Sequence, residues 1–244
     1  MRLERIEADS RVFGRPVLAV HDLCCGDDLA AAEREFVRRY DPVYVSCRIP
    51  LERLAEIQLA EQHGFRFVEC QIRSSVRLRR PYDVSPYPYT FVEVRSEDDL
   101  SEVLEIAGAT FEHDRYSRDP DLPAGISGRR YQEYVRNSFH AGDEAVYRLL
   151  DEHHRTIAFK THRYVSDREV LFLLGGVHPA WKGLGIGPIN EYFEFNELIA
   201  KGIRRGVTHI SAVNYPVFNL EIGSLGFHVT GTFAVLRKHY PSVQ

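Results

Sequence analysis

Residues 177–187, Val-His-Pro-Ala-Trp-Lys-Gly-Leu-Gly-Ile-Gly, restrict the possible folds of this chain more than any other segment. An apolar, β-prone run at 169–176 precedes them, and a helix-length run at 188–201 follows. Strand, glycine-rich loop and helix in that order describe an α/β unit. Gly183, Gly185 and Gly187, at alternate positions, let the backbone pass close to a ligand. Successive N–H groups at a helix N-terminus, aligned with the helix dipole, form an anion site, and a phosphate suits it. A Walker loop needs Lys and then Ser or Thr after its last glycine, which Pro188 and Ile189 exclude. The Gly-x-Gly-x-Gly rhythm also differs from the Gly-x-Gly-x-x-Gly of dinucleotide sites. The bland alternative is a tight turn with no ligand.

The 244 residues suffice for one large domain, or for a main domain with a small partner lobe, and 44% hydrophobic content supports a packed core. A net charge of −4 offers no global basic field, so nucleic acid and anionic membranes are not expected partners. A phosphate-bearing ligand must be held locally. The charged start, Met1 to Asp9, does not read as a signal peptide, and no apolar run is long enough to span a bilayer. A soluble, cytoplasmic protein is expected. Cys24, Cys25, Cys47 and Cys70 lack Cys-x-x-Cys spacing and are expected to be buried free thiols, with no metal site.

Along the chain, residues 1–80 read as a small α/β lobe. Its strands are expected near 17–20, 42–47 and 65–76, with helices at 28–40 and 51–63. A proline-rich linker at 79–89 leads to a second unit, 90–244. That unit opens with a strand near 91–94 and a helix over 97–111, then an irregular stretch at 113–127. A helix at 129–139, three strands near 144–150, 156–164 and 169–174, the glycine loop and its helix follow. Strands near 207–213 and 229–236 close the chain.

The pattern Val-x-Pro-x-x-Lys-Gly-x-Gly-x-Gly after a strand resembles the acyl-CoA pyrophosphate loop of the GNAT acetyltransferase superfamily, and the order of elements over about 90–240 is similar to that fold. The resemblance implies an α/β (α+β) architecture with a mixed, mostly antiparallel central sheet flanked by helices. It further implies that Lys182, Gly183, Leu184, Gly185, Ile186 and Gly187 carry the pyrophosphate of acetyl-CoA or another acyl-CoA. Backbone N–H groups at a bulged strand end, about Gly176 to Val177, would address the thioester, and Asn214 matches a cofactor-facing Asn. Pro188 removes one N–H from the set.

A narrower resemblance is to the dTDP-fucosamine acetyltransferases, which act on a nucleotide-linked 4-amino-deoxysugar. It is carried by residues 12–16 (Val-Phe-Gly-Arg-Pro), 61–69 (Glu-Gln-His-Gly-Phe-Arg-Phe-Val-Glu), 110–116 and 128–137. Around the proline-broken loop, Arg115, Arg118, Arg129 and Arg130 suit a diphosphate, while Tyr116 and Tyr131 suit a base or sugar face. The alternative is that Arg129 and Arg130 are solvated helix-start charges and that Tyr131, with Tyr134, is core.

Acyl transfer from a thioester to an amine needs a neutral amine, a polarised carbonyl and a protonated leaving thiolate. The resemblance places a Tyr acid shortly before the Gly226-Phe227 turn, where this chain has Glu221 or Ile222. Tyr215 is the candidate substitute, with solvent as the alternative. Glu169 is the candidate base through a water, ahead of His178, which reads as a surface residue. Trp181 is expected to wall the loop. The reading is an N-acyltransferase for a nucleotide-linked aminosugar, with a strand-mediated homodimer as its implied assembly. The alternatives are the same fold acting on another small amine, and a non-catalytic acyl-CoA-binding module.

Overall fold

The computed structural model describes residues 1–240. In chain order its elements begin with β1 (Arg2–Arg5), α1 (Glu7–Phe13), β2 (Val17–His21), α2 (Leu29–Tyr40), β3 (Tyr44–Pro50), α3 (Leu54–Gln62) and β4 (Arg66–Arg77). Next come β5 (Thr90–Glu93), α4 (Glu97–Thr110), α5 (Arg115–Arg118), α6 (Ile126–Ala141), β6 (Ala145–Leu150), β7 (Thr156–Ser166) and β8 (Glu169–Val177). After a 3-10 turn at Pro179–Trp181 the chain ends in α7 (Ile186–Ala200), β9 (Arg205–Ser211), α8 (Tyr215–Gly223) and β10 (His228–His239). The mixed, mostly antiparallel sheet flanked by helices agrees with the expected fold class.

The strands form one ten-stranded sheet in the order β1-β2-β3-β10-β4-β9-β8-β7-β6-β5. Two stretches, β2-α2-β3-α3-β4 and β8-α7-β9-α8-β10, trace the same path. In each, the first two strands are parallel. Each ends in a helix, a left-handed glycine (Gly64, φ 80°; Gly226, φ 74°), a buried Phe and the last strand. That last strand crosses over, because β10 pairs with β3 of the first stretch and β4 pairs with β9 of the second. β10 and β4 pair with each other at the centre. Each half therefore supplies a strand that fills the other half's sheet.

Local chemistry accounts for the helices that frame the site. Ser96 caps α4 by accepting from the Asp99 N–H at 3.2 Å, and Glu97, Asp98 and Asp99 lie in the first turn, where the dipole favours acids. Its buried stripe, Leu100, Val103, Ile106 and Ala107, packs with Val135 and Phe159. On the other sheet face, Phe195, Leu198 and Ile203 meet Val76, Leu78, Val170 and Phe172. α5 lies inside the stretch expected to be irregular, nucleated by Asp114, whose carboxylate accepts from the N–H groups of Tyr116 and Ser117. Cys47 is buried as expected, but Cys24 and Cys25 are exposed, because they fall in the loop between β2 and α2 instead of on a strand.

Candidate active site

β8 and β9 begin as a parallel pair and then part. Pairing runs from Glu169 opposite Arg205 to Leu171 opposite Val207, which leaves 172–177 and 208–211 as two diverging arms. A register shift between Phe172 and Leu174 in the β7–β8 ladder marks a bulge at Leu173, where the Leu174 N–H donates to Thr161 Oγ1 at 3.1 Å. The bulge therefore lies at Leu173 and not at the expected Gly176 and Val177, which pair regularly with Phe159 and Ala158. Gly176 has a packing role, since a Cβ there would lie 2.6 Å from Phe159 Cε1.

The open end of the gap leads into the glycine loop. Gly183 and Gly185 have φ of 80° and 79°, and Gly185 is the N-cap of α7 with no side chain capping the helix. An L side chain at such a φ is strained, which accounts for glycine at Gly185. The first-turn N–H groups of Ile186 and Gly187 have no intrahelical acceptor, so the helix end presents donors and positive dipole. Lys182, beside them, pairs with Glu112 at 3.3 Å and keeps a half-exposed side chain. Leu184 is exposed and Ile186 buried, anchoring the loop. His178 uses Nδ1 to accept from the Ala180 N–H at 3.2 Å, so it shapes the turn. Trp181 packs edge-on to Tyr89 with centroids 6.4 Å apart.

Beneath α7 and α8 lies a buried polar cluster that the sequence reading did not assemble. Lys160 on β7 contacts Glu191 and stands 3.5 Å from Glu194. Glu194 also holds His162 Nδ1 at 2.9 Å, and His162 Nε2 lies 3.3 Å from the Tyr164 hydroxyl. On α8, Glu221 is buried and accepts a 3.0 Å hydrogen bond from the Ser74 hydroxyl on β4. Burial, and then the negative charge of Glu191, push the Glu221 carboxyl up to about 8. Glu191 itself is shifted upward, mainly by burial. Lys160 stays protonated, shifted upward by Glu191 and Glu194 against the opposing effect of burial. The cluster reaches the gap, because a Cβ on Gly175 of β8 would lie 3.0 Å from Lys160 Cδ and Nζ. A signal was present: Glu191, Glu194, Phe195 and Leu198 share one helical stripe, the buried one, where carboxylates are costly.

Several expected site residues stand elsewhere. Glu169 occupies the closed end of the strand pair, with its carboxylate 3.1 Å from Arg205, so it is not placed to act in the open gap. Tyr215 begins α8 and is 64% exposed, whereas Glu221, later on the same helix, points inward. Asn214 is the N-cap of α8, at the end of the β9 arm. Arg115 donates to the Tyr116 hydroxyl at 2.9 Å and pairs with Glu69, so it is not a solvated loop charge. Tyr116 is buried and donates to Asp9, which also pairs with Arg130. Tyr131 stacks on Phe111 at 3.9 Å. Both tyrosines are buried, which for Tyr131 agrees with the core alternative. Arg118 and Arg129 are exposed. Arg129 lines a cleft of about 590 Å³ between α4 and α6, together with Phe111, Glu112, Tyr116, Leu122 and Gln132. Through its pair with Lys182, Glu112 joins this cleft to the glycine loop.

No family model matches the chain, and no curated protein matches it. Solved structures do. The chain is similar to a GCN5-related N-acetyltransferase from Sphaerobacter thermophilus, with 16% identity and a TM-score of 0.66, covering 99% of this chain and 77% of that one. A tandem GNAT protein from the clavulanic acid biosynthesis pathway gives 15% identity and 0.65, covering 94% and 77%. A glucosamine N-acetyltransferase region of a fungal multi-domain β-N-acetylglucosaminidase gives 12% and 0.59, covering 85% of this chain and 27% of that one. The splayed strands, the bulge and the uncapped helix behind a glycine loop thus occur within the fold of the GCN5-related N-acetyltransferases.

Proposed function

We propose that the protein is an acyl-CoA-dependent N-acyltransferase. The observation that carries this reading is the β8–β9 gap running into the uncapped N-terminus of α7. Strand arms that are unpaired on the gap side offer N–H and C=O groups there to an extended chain inserted between them, as an added strand would use them. The loop at 182–187 then meets a diphosphate with backbone donors, and Lys182 adds a cation. These residues fit acyl-CoA, whose thioester supplies the activated acyl group. The acceptor amine forms the new C–N bond, the C–S bond breaks with its electron pair on sulfur, and the amine sheds a proton to solvent.

Glu221 is the proton donor in this reading. It occupies the place where the resemblance implies a Tyr acid, and it is protonated at neutral pH because burial and Glu191 raise it to about 8. It delivers its proton to the departing sulfur and regains one from bulk water. The Ser74 hydroxyl holds the carboxyl in place. For the acceptor, the reading is the amino group of a nucleotide-linked deoxysugar. Support comes from the similarity of 12–16, 61–69, 110–116 and 128–137 to the dTDP-fucosamine acetyltransferases, and from the cleft beside Arg129. The aminosugar in the name of one structural neighbour agrees by fold analogy only.

Thiol release from acetyl-CoA, measured with dTDP-aminosugars, free aminosugars and other small amines, tests both parts. Turnover is expected with the nucleotide sugars, falling as pH rises through about 8, where Glu221 loses its proton. Glu221→Gln should lower turnover about 10²- to 10⁴-fold and abolish that alkaline limb, leaving the Kd for CoA unchanged. Parent-like turnover in the variant would move the acid role to Tyr215 or solvent. Equal rates on free and nucleotide-linked sugars would remove the nucleotide from the acceptor.

A further inference from the structure

On the sheet face opposite α7 and α8, basic side chains gather where β3, β10, β4 and β9 run side by side. Arg48 on β3 lies opposite Val235, and Arg73 on β4 lies opposite both Gly231 and His209. The Arg48 guanidinium sits 5.3 Å from the Phe233 ring centroid, and the His209 ring packs on the same Phe at 5.9 Å. Arg48 donates to Gln71 Oε1 at 3.5 Å, and Gln71 donates to Glu69 at 2.9 Å. Arg115 reaches the same Glu69 from α5 at 3.5 Å. Arg115 thus pairs with this buried carboxylate directly, Arg48 reaches it only through Gln71, and Arg73 adds a further positive charge near Arg48, on a chain whose net charge is −4.

Arg48 and His209 feel the gathered positive charge, whereas the Arg115 cation is favoured by Tyr116, Tyr44 and Glu69 against the opposing effect of burial. Arg48 is shifted downward by partial burial and then by Arg115 and Arg73. Burial, then Arg48 and Arg73, push His209 down to about 4, so its ring is neutral at neutral pH. Among the described residues, Arg115 Nε and Ser211 Oγ are buried polar atoms with no partner. Ser211 follows His209 by two positions on β9, so it shares that face, opposite Gln71. Arg73, His209 and Gln71 are half-buried and Arg48 is exposed, so this basic cluster is open to solvent. His209 and Ser211 also belong to the β9 arm that has parted from β8. The basic cluster therefore borders the gap from the side away from the buried acid cluster.

We propose that the basic cluster of Arg48, Arg73 and His209, with Arg115 beside Arg48, binds an oxyanion of the acceptor, a phosphate or a carboxylate, and thereby orients the amine towards the gap. Calling the ligand the acceptor rests on the acyl-transfer reading; the anion site does not. Two probes distinguish the sources, thymidine diphosphate and glutarate. Each is titrated into protein saturated with CoA, so that the glycine loop is filled, and the His209 ring is followed by NMR. One probe is expected to bind and to raise the His209 pKa by about one unit or more as its charge offsets the arginines. Arg48→Gln and Arg73→Gln should each weaken that probe about ten- to a hundredfold, with the Kd for CoA unchanged. A response to thymidine diphosphate assigns a phosphate, and a response to glutarate a carboxylate. Bound CoA with no His209 response to either probe would overturn the proposal and leave the acyl-donor reading intact. If CoA does not bind, the donor reading falls, and the same probes titrated alone still decide the anion site.

Discussion

The two strand-helix-strand-helix-strand halves follow one path and differ at two points. In the first half, β2 pairs with β3 from Val17 to Val20, nearly its whole length, and the core closes over them with Leu18, Val45 and Cys47. In the second, β8 leaves β9 after three pairs. The helices differ in the same sense. α2 is capped by its own carboxylate, Asp28, which accepts from the Ala31 N–H at 2.9 Å. α7 begins at a bare glycine. A self-capped helix has used its donors and carries a negative charge where a phosphate would sit. The same topology thus yields a closed structural half and an open, anion-accepting half. The difference depends on the length of one strand pairing and the identity of one cap.

Breaking the closed half should cost stability alone. Leu18→Ala removes a fully buried side chain and should destabilise by about 2–5 kcal/mol in chemical denaturation, while the Kd for CoA in the folded protein stays unchanged. A change in CoA affinity comparable to that loss would mean that the first half serves the site directly. Next in size is the exchange of caps. Gly185→Asp puts the cap residue type of α2 at the start of α7, at some strain because φ there is 79°, and places a carboxylate at the proposed pyrophosphate position. CoA affinity should fall about ten- to a hundredfold by calorimetry in a protein that still folds, and undiminished affinity would sink the loop as the diphosphate site. The smallest effect is expected from Asp28→Ala, which removes the cap of α2. It should lower stability by about 1 kcal/mol and leave CoA binding unaltered.

Much of the fold is legible residue by residue. The alternation at 65–76, the apolar run at 169–176 and the glycine loop each matched an element, because these signals are local and periodic. The missed elements, β1, α1, α5 and α8, are short or begin at weak caps: β1 and α5 have four residues each, and Ile6 and Asn214 make no side-chain cap hydrogen bond. For the site, the glycine loop was readable because backbone donors at a helix start depend on adjacent residues. Glu221 was noted only as standing in a tyrosine's place. Its protonation depends on Ser74, Glu191, Lys160 and Glu194, which come from three other elements.

The sequence by itself determined the order of most strands and helices, the loop and the absence of a global basic field, all set by composition and near-neighbour spacing. Only the tertiary structure decided that β4 and β10 exchange places between the halves, that β8 and β9 part, and that Tyr116 and Tyr131 are buried and Arg115 pairs with Glu69 while Arg48, Arg73 and His209 gather on one sheet face. Strand pairing joins residues more than a hundred positions apart, as Arg73 with His209 shows. Burial then sets the charge of Glu221 and His209, and neither pairing nor burial is encoded in any single stretch of the chain.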